Sequence, residues 1–267
     1  MIRLSVGPLL LAGMALLLTQ CATGGNTVSD LARTWQEAWV FVPTEDGVRR
    51  HEMADPRLQS WRQKQDKIRP GVLYLHGCTG LGRADADMLE AIAGAGFIVI
   101  APDSLARRFR PLQCDPDTKT GGHHLFVYDF RQAEINYALE RLRGDQWVDP
   151  DRLFLFGASE GGVAAALYRG SAFAGRIITH WTCHGGRLIR GLEAAPDEPI
   201  LAIVQASDPW YAETKTHGQS GSCGAFMGDE WMGRSIVLRD GDRHDVFRNH
   251  KARDAILDFL NQNTNNM

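Results

Sequence analysis

The chain has 267 residues, of which 44% are hydrophobic and 23% are charged, so it can build one sizeable core. Its formal net charge of −3 gives no support for nucleic-acid binding, which needs a concentrated basic surface. A nucleic-acid partner is therefore not expected.

The N-terminal segment, residues 1–21, has the layout of a secretory signal. Its apolar run from Leu4 to Leu18 is too short to cross a bilayer comfortably. Cys21 lies where bacterial lipoprotein signals carry a lipidated cysteine, although Gln20 departs from the small residue usual before it. The alternatives are ordinary cleavage, for instance after Gly24, and a retained anchor. All three place the domain outside the cytoplasm, in the bacterial periplasm or attached to the outer membrane through Cys21.

Export changes the expectation for the other cysteines. With Cys21 set aside, four remain, an even number in a compartment where disulfides persist. Their order along the chain suggests the pairs Cys78–Cys114 and Cys183–Cys223. Four cysteines allow three pairings, however, and four free buried thiols are the alternative.

Hydrophobic patterning predicts a polar tether over residues 22–35 and one α/β domain over residues 36–267. The predicted elements, in chain order, are a hairpin (38–44 and 48–54), a strand (71–77), a helix (84–96), a strand (97–103), a helix (126–143), a strand (152–157), a helix (160–170), three strands (176–182, 200–206 and 235–241) and a last helix (about 245–260). Alternating strands and helices predict a mostly parallel, doubly wound sheet with helices on both faces. The weakly patterned stretches 104–124 and 208–232 are long enough to be functional loops.

One strand-to-helix junction has an unusual composition. The segment RLFLFGASEGGVAAALYRG passes from the strand into the helix through Gly157-Ala158-Ser159-Glu160-Gly161, which matches the nucleophile-elbow pattern G-x-S-x-G. Glycines two residues on either side allow a turn tight enough to expose the serine hydroxyl, and the helix directs its N-terminal N–H groups at the site. The alternative is a tight turn with a solvated serine.

A serine nucleophile needs a base, and the base needs a group that orients it. In this architecture the acid and then the histidine follow the serine along the chain. Asp208 directly follows a buried strand and His244 follows the last strand, so both are expected at the sheet edge that holds Ser159. We predict His244 as the base and Asp208 as its orienting acid, with His250 and Asp229 in reserve. A simple turn-capping role is the alternative for Asp208.

A tetrahedral intermediate also needs donors for its oxyanion. We predict the backbone N–H groups of Glu160 and Cys78 as these donors, with Thr79 in reserve. A reactive Cys78 thiol is the alternative role for that residue. His180 lies on a predicted strand and is expected to be a core histidine.

Five motifs, LYLHGCTG, APDS, LFGASEGGVAAALY, SDPW and DGDRHDVF, occur in this order across residues 71–262. Together they resemble the α/β-hydrolase superfamily, in particular its dienelactone hydrolase-like branch. The resemblance implies the α/β-hydrolase fold, no cofactor, and a site built from Ser159, Asp208, His244 and the amides of Cys78 and Glu160. Dienelactone hydrolases proper carry a cysteine at the elbow, so Ser159 favours a general serine esterase.

We therefore expect a serine hydrolase that cleaves small carboxylic esters or lactones through an acyl-enzyme. The short gap between the strands at 176–182 and 200–206 predicts little or no lid. A peptidase or acyltransferase with the same triad, and a non-catalytic exported binding protein of the same fold, are the alternatives.

Two further clusters contain polar or metal-binding side chains. The first offers side chains that bind metals but lacks a recognised ligand spacing, so no metal is expected; its members are His123, His124, His180, Cys183 and His184. The second comprises Arg107, Arg108 and Arg110, which form either a site for a substrate carboxylate or a solvated loop face.

Overall fold

The computed structural model describes residues 26–111, 114–121, 125–144, 147–185, 189–211, 220–241 and 243–265. The predicted signal segment with Cys21 lies outside these residues, as do His123 and His124. Among the helices described, none combines the length and the apolar character needed to span a bilayer.

Strands and helices alternate along the chain as the pattern predicts. In order they are α1 (Val28–Gln36), β1 (Trp39–Thr44), β2 (Gly47–Glu52), α2 (Pro56–Gln63), β3 (Arg69–Leu75), α3 (Arg83–Gly94), β4 (Ile98–Ala101), β5 (Cys114–Asp115), β6 (Thr120–Gly121), α4 (Leu125–Arg143), β7 (Val148–Ala158), α5 (Glu160–Ala166), β8 (Gly175–Thr179), β9 (Ile200–Gln205), β10 (Gly233–Leu238) and α6 (His250–Asn265).

Eight strands form one sheet in the order β10-β9-β8-β7-β3-β4-β1-β2. The neighbouring pairs from β10 to β4 are parallel, whereas β1 runs antiparallel to both β2 and β4. The carboxyl ends of the parallel strands therefore meet at one edge of the sheet. The short strands β5 and β6 form a separate hairpin.

Alternate side chains of the central strands enter two cores on opposite faces of the sheet. Leu73 and Leu75 pack in one core with residues of α1, α4 and α5, whereas Val72 and Tyr74 pack in the other with residues of α3 and α6. Burial on both faces explains why the central strands are continuously apolar in sequence. The predicted doubly wound sheet with helices on both faces is confirmed.

The expectation of a tether over residues 22–35 is wrong from Val28 onwards, because that part forms α1. Thr27 caps this helix through a hydrogen bond from the Asp30 N–H. Asp30 and Trp35 are buried against the domain, which therefore begins earlier than the composition indicates. Four of its nine residues are apolar, and a helix this short depends on tertiary packing for its stability.

The last helix begins at His250 rather than near Asp245. The side chain of Asp245 accepts a hydrogen bond from the Phe247 N–H and starts a short 3₁₀ turn, Val246–Arg248, before α6. This turn leaves His244 in the connection that follows β10, beyond the carboxyl edge of the sheet.

Candidate active site

Ser159 lies between β7 and α5 in a left-handed backbone conformation, with φ 54° and ψ −114°. Its backbone groups are satisfied in this conformation. The Ser159 N–H donates to the Thr179 carbonyl on β8 at 2.9 Å, and its carbonyl accepts from the Val163 N–H at 3.0 Å. The neighbouring strand and the helix therefore hold the serine in place from both sides.

The two glycines of the elbow are required by close backbone contacts. A Cβ added at Gly157 would lie 2.1 Å from the Gly161 carbonyl oxygen. A Cβ added at Gly161 would lie 2.0 Å from the Leu75 carbonyl oxygen at the end of β3. Neither distance can accommodate a side chain, so the glycine spacing of the motif follows directly from the turn.

The structure brings Ser159, His244 and Asp208 into one hydrogen-bonded series. His244 Nε2 lies 3.0 Å from Ser159 Oγ, and His244 Nδ1 lies 2.6 Å from Asp208 Oδ2. A carboxylate only accepts hydrogen bonds, so Nδ1 carries the proton and Nε2 is left to accept from the serine hydroxyl. Asp208 Oδ1 also accepts from the Trp210 N–H at 2.9 Å, so this carboxylate both caps its turn and orients the imidazole. The alternative acid and the alternative base, Asp229 and His250, are solvent-exposed.

His180 is buried, as expected, and it also contacts the loop that carries His244. Its Nε2 accepts from the Val246 N–H at 2.9 Å, so the proton lies on Nδ1, which donates to Thr179 Oγ1 at 2.8 Å. Burial lowers the pKa of His180 and favours this neutral ring. His180 thus fixes the backbone two residues beyond His244.

The loop after β3 lies directly beside the serine. A Cβ added at Gly77 would lie 3.4 Å from Ser159 Cβ, and Cys78 lines a cleft that contains Ser159. Glu160 is the first residue of α5, so its N–H has no acceptor within the helix. The oxyanion-hole role of Cys78 and Glu160 stays a prediction. Thr79, the reserve donor, is exposed on the opposite side of Ser159.

Both suggested disulfides are present, Cys78–Cys114 and Cys183–Cys223. The first joins the loop after β3 to the β5–β6 hairpin. Cys78 and Cys183 are therefore excluded as a free thiol and a metal-binding thiol. Within the described ranges, no group of three or more His, Cys, Asp or Glu side chains is arranged to hold a metal ion.

A buried network of charges lies behind the elbow. The Glu160 carboxylate accepts from Arg110 Nη2 at 2.5 Å and from Arg131 Nε at 2.9 Å. Glu134 accepts from Arg107 Nε at 2.8 Å and from Arg131 Nη1 at 3.2 Å. Burial alone would raise the pKa of Glu134, but Arg131 and Arg107 outweigh it and hold that pKa below its usual value. Glu134 is thus held ionised, and both carboxyl groups are paired with arginines.

This network corrects both expectations for the arginine cluster. Arg107 and Arg110 are neither a solvated face nor free to bind a substrate, because they neutralise Glu134 and Glu160. Only Arg108 is exposed, and it pairs with Asp30 of α1 at 3.5 Å. A buried carboxylate needs a cation beside it, and this need determines where the arginines lie.

Arg131 connects the two segments that carry the predicted oxyanion donors. Besides its bond to Glu160, its Nη2 donates to the His76 carbonyl at 2.5 Å, just before the Gly77-Cys78 turn. Sequence reasoning missed this residue. The available signal was the pair Arg131 and Glu134, spaced i, i+3 within an otherwise apolar helix face.

Two clefts meet at Ser159. The aromatic cleft is walled by Tyr128, Trp181, Trp210 and Tyr211 and encloses about 150 Å³. The histidine-side cleft lies across the serine, is lined by residues that include His244, and encloses about 270 Å³. Parts of both long loops reach the site, since the β5–β6 hairpin and the turn after Asp208 line the aromatic cleft.

Solved structures share this fold at low sequence identity. The dienelactone hydrolase-like promiscuous phosphotriesterase P91 from metagenomic libraries aligns with a TM-score of 0.55 at 15% identity, covering 84% of this chain and 97% of that one. A candidate dienelactone hydrolase from Klebsiella pneumoniae aligns with a TM-score of 0.53 at 16% identity, covering 75% and 90%. Est1E from Butyrivibrio proteoclasticus aligns with a TM-score of 0.52 at 12% identity, covering 85% and 93%.

The sequence itself matches no protein-family model and no curated protein. The resemblance carried by the motifs is nevertheless confirmed at the level of architecture, in the sheet, its strand order and its solved neighbours. The chain has the α/β-hydrolase fold.

Proposed function

We propose that this protein is a serine hydrolase that cleaves small carboxylic esters or lactones through an acyl-enzyme. The observation that carries the proposal is the series from Ser159 Oγ through His244 to Asp208, with distances of 3.0 and 2.6 Å. Such a series raises the nucleophilicity of a hydroxyl that is otherwise a weak nucleophile at neutral pH. Two solved neighbours, described as a phosphotriesterase and a dienelactone hydrolase, support hydrolytic chemistry.

In the first half-reaction Ser159 Oγ bonds to the carbonyl carbon of the ester while His244 Nε2 takes the hydroxyl proton. The negative charge on the carbonyl oxygen faces the N–H groups of Cys78 and Glu160. Asp208 stabilises the charged imidazole. When the carbonyl re-forms, the bond to the alcohol oxygen breaks, and that oxygen receives the proton from His244.

In the second half-reaction water replaces the alcohol. His244 takes a proton from water as its oxygen bonds to the acyl carbon. The bond to Ser159 Oγ then breaks, the serine recovers a proton from His244, and the carboxylic acid leaves. No group beyond this chain and water is needed to balance the reaction.

The direct test is the hydrolysis of p-nitrophenyl acetate by Ser159→Ala. We expect kcat to fall by about 10³-fold or more, because the nucleophile is removed. Ser60→Ala is the matched control, since Ser60 is an exposed serine on α2. Wild-type turnover in a Ser159→Ala protein with an unchanged circular-dichroism spectrum would refute the proposal.

A further inference from the structure

The chemistry of the proposed reaction assigns one half of the substrate to each cleft. The leaving oxygen receives its proton from His244 Nε2, so the alcohol half must lie on the side that His244 lines. That side is the histidine-side cleft, whose other walls include Ala84 and Phe247. The acyl half stays bonded to Ser159 after the alcohol leaves, and it extends into the aromatic cleft.

The walls of the aromatic cleft are suited to a flat apolar group. Trp181 and Tyr128 are almost fully buried, and Trp210 and Tyr211 are half-buried. The Tyr211 hydroxyl donates to the His180 carbonyl at 2.8 Å, so this polar atom already has a partner. Rings arranged around a cavity favour another ring, through offset stacking and edge-to-face contacts.

The charge in this cleft does not oppose a neutral aromatic group. Two charged residues of the described chain line this cleft. Lys119 is exposed on the turn of the β5–β6 hairpin, and Glu160 is a carboxylate that Arg110 and Arg131 neutralise. Both arginines bind Oε1, whereas Oε2 has no hydrogen-bond partner among the described residues, so a substrate ring meets a carboxylate whose charge is balanced but whose second oxygen has no donor. Because the two arginines already balance its charge, Glu160 does not favour a cationic acyl group.

The aromatic cleft is open to solvent on one side and has room for one ring. Its volume of about 150 Å³ equals that of an engineered apolar cavity that binds benzene. A single ring fills such a space, whereas a long alkyl chain would have to leave it for solvent. Size and wall chemistry thus point to the same kind of group.

We propose that the preferred substrates are esters of single-ring aromatic carboxylic acids, with the ring in the aromatic cleft and the alcohol in the histidine-side cleft. This inference rests on the proposed serine-hydrolase function and specifies its substrate class.

The first test compares p-nitrophenyl benzoate, butyrate and octanoate on the wild-type protein. The three esters share one leaving group, so differences in kcat/KM come from the acyl group. Each kcat/KM is divided by the rate constant for hydroxide-catalysed hydrolysis of the same ester, which corrects for its intrinsic reactivity. We expect benzoate to exceed both aliphatic esters by at least about tenfold, a usual scale for pocket discrimination. A normalised kcat/KM for the octanoate or the butyrate ester equal to that for the benzoate ester would overturn the inference.

Two variants separate the clefts. Val163→Phe places a ring in the aromatic cleft, and Ala84→Leu is its counterpart in the histidine-side cleft. Val163→Phe should lower the benzoate preference about tenfold and leave the ranking of acetate esters of different alcohols unchanged. Ala84→Leu should change the alcohol ranking and leave the acyl preference unchanged. The reverse pattern, or equal effects of both variants, would contradict the assignment of the clefts.

A third measurement needs no variant. A boronic acid accepts Ser159 Oγ at boron while the hydroxyl proton passes to His244, and its organic group then occupies the acyl side. Phenylboronic acid should inhibit at a concentration at least about tenfold lower than butylboronic acid, and equal inhibition would overturn the inference. Absence of all ester hydrolysis would instead refute the proposed function, so the two failures are distinguishable.

Discussion

Ser159 is held in a left-handed conformation that costs a residue with a side chain about 1–3 kcal/mol. Hydrogen bonds to Thr179 and Val163 offset this cost. The elbow was predictable because the contacts that force the turn also force Gly157 and Gly161, and glycine is visible in the sequence. Asp208 and His244 were predictable for a related reason, since each follows a strand that ends at the same edge.

The buried charges behind the elbow lead to a prediction for Arg131→Met. Methionine keeps the length of the side chain but leaves Glu160 and Glu134 with one cation fewer in a buried site. Removing one partner of a buried ion pair typically costs about 3–5 kcal/mol. We expect a loss of that size in the free energy of unfolding in urea.

Arg131 also joins the segments of the two predicted oxyanion donors, so kcat should fall in Arg131→Met more than KM rises. Arg141→Met is the matched control on the same helix, because Arg141 is exposed and, among the contacts described, touches only the hydroxyl and the ring of Tyr137. We expect it to change stability by no more than about 0.5 kcal/mol. Equal stability of the two variants would refute the role assigned to Arg131.

At the scale of elements, the sequence pattern located the long, strongly periodic segments and missed the short ones. The central strands and α4 were found because burial makes their composition distinctive. The helix α1 and the β5–β6 hairpin were missed, since each depends on contacts distant in sequence. The hairpin has two residues in each strand and is attached to the loop after β3 by the Cys78–Cys114 bond.

The two disulfides should differ in their effect on catalysis. They close loops of similar length, with sequence separations of 36 and 40, so replacing either pair with serines should cost a similar 2–4 kcal/mol or so of stability. Only Cys78–Cys114 holds the loop that carries a predicted oxyanion donor. We expect the Cys78→Ser, Cys114→Ser protein to lose at least about tenfold in kcat.

The Cys183→Ser, Cys223→Ser protein is the control for this prediction, and both proteins are assayed at a temperature where circular dichroism reports a folded state. Equal kcat values in the two variants would contradict a catalytic role for the loop after β3.

For the whole molecule, stability should decrease as the solution is acidified below neutrality. Burial lowers the pKa of His180 below its ordinary value of 6.5, so the unfolded chain binds this proton more readily than the folded one. The contribution of His180 to the free energy of unfolding is complete above about pH 6.5 and is lost as the pH falls. Arg131 and Arg107 depress the pKa of Glu134 against the effect of burial, and that contribution is lost at lower pH, below its ordinary value of 4.5.

Urea unfolding at pH 8, 6 and 5 measures this dependence. We expect the unfolding free energy to decrease along the series, and the decrease between pH 6 and 5 to be smaller in His180→Gln, which has no proton to gain there. Burial alone would raise the pKa of neighbouring Asp245, but its contact with His180 outweighs this effect and lowers that pKa. This carboxyl titrates below its ordinary value of 3.8 and therefore outside this pH interval. Constant or increasing stability on acidification would contradict the account of His180.

The sequence was sufficient to predict the three-layer architecture and the three residues of the hydrogen-bonded series. It was not sufficient to predict the residues that surround Ser159. The pairing of Arg110 with Glu160, and the rings that Tyr128 and Trp181 bring to the cleft, depend on how loops and helices pack. Local pattern carries no information about such packing. Export and attachment through Cys21 stay predictions, and the two disulfides agree with an oxidising compartment.

The most direct measurement is labelling of the wild-type protein with a fluorophosphonate, followed by mass spectrometry to locate the modified residue. We expect one stoichiometric adduct on Ser159, and we expect the His244→Ala variant to be labelled at least about a hundredfold more slowly. An adduct on another residue, or equally fast labelling without His244, would contradict the proposed mechanism.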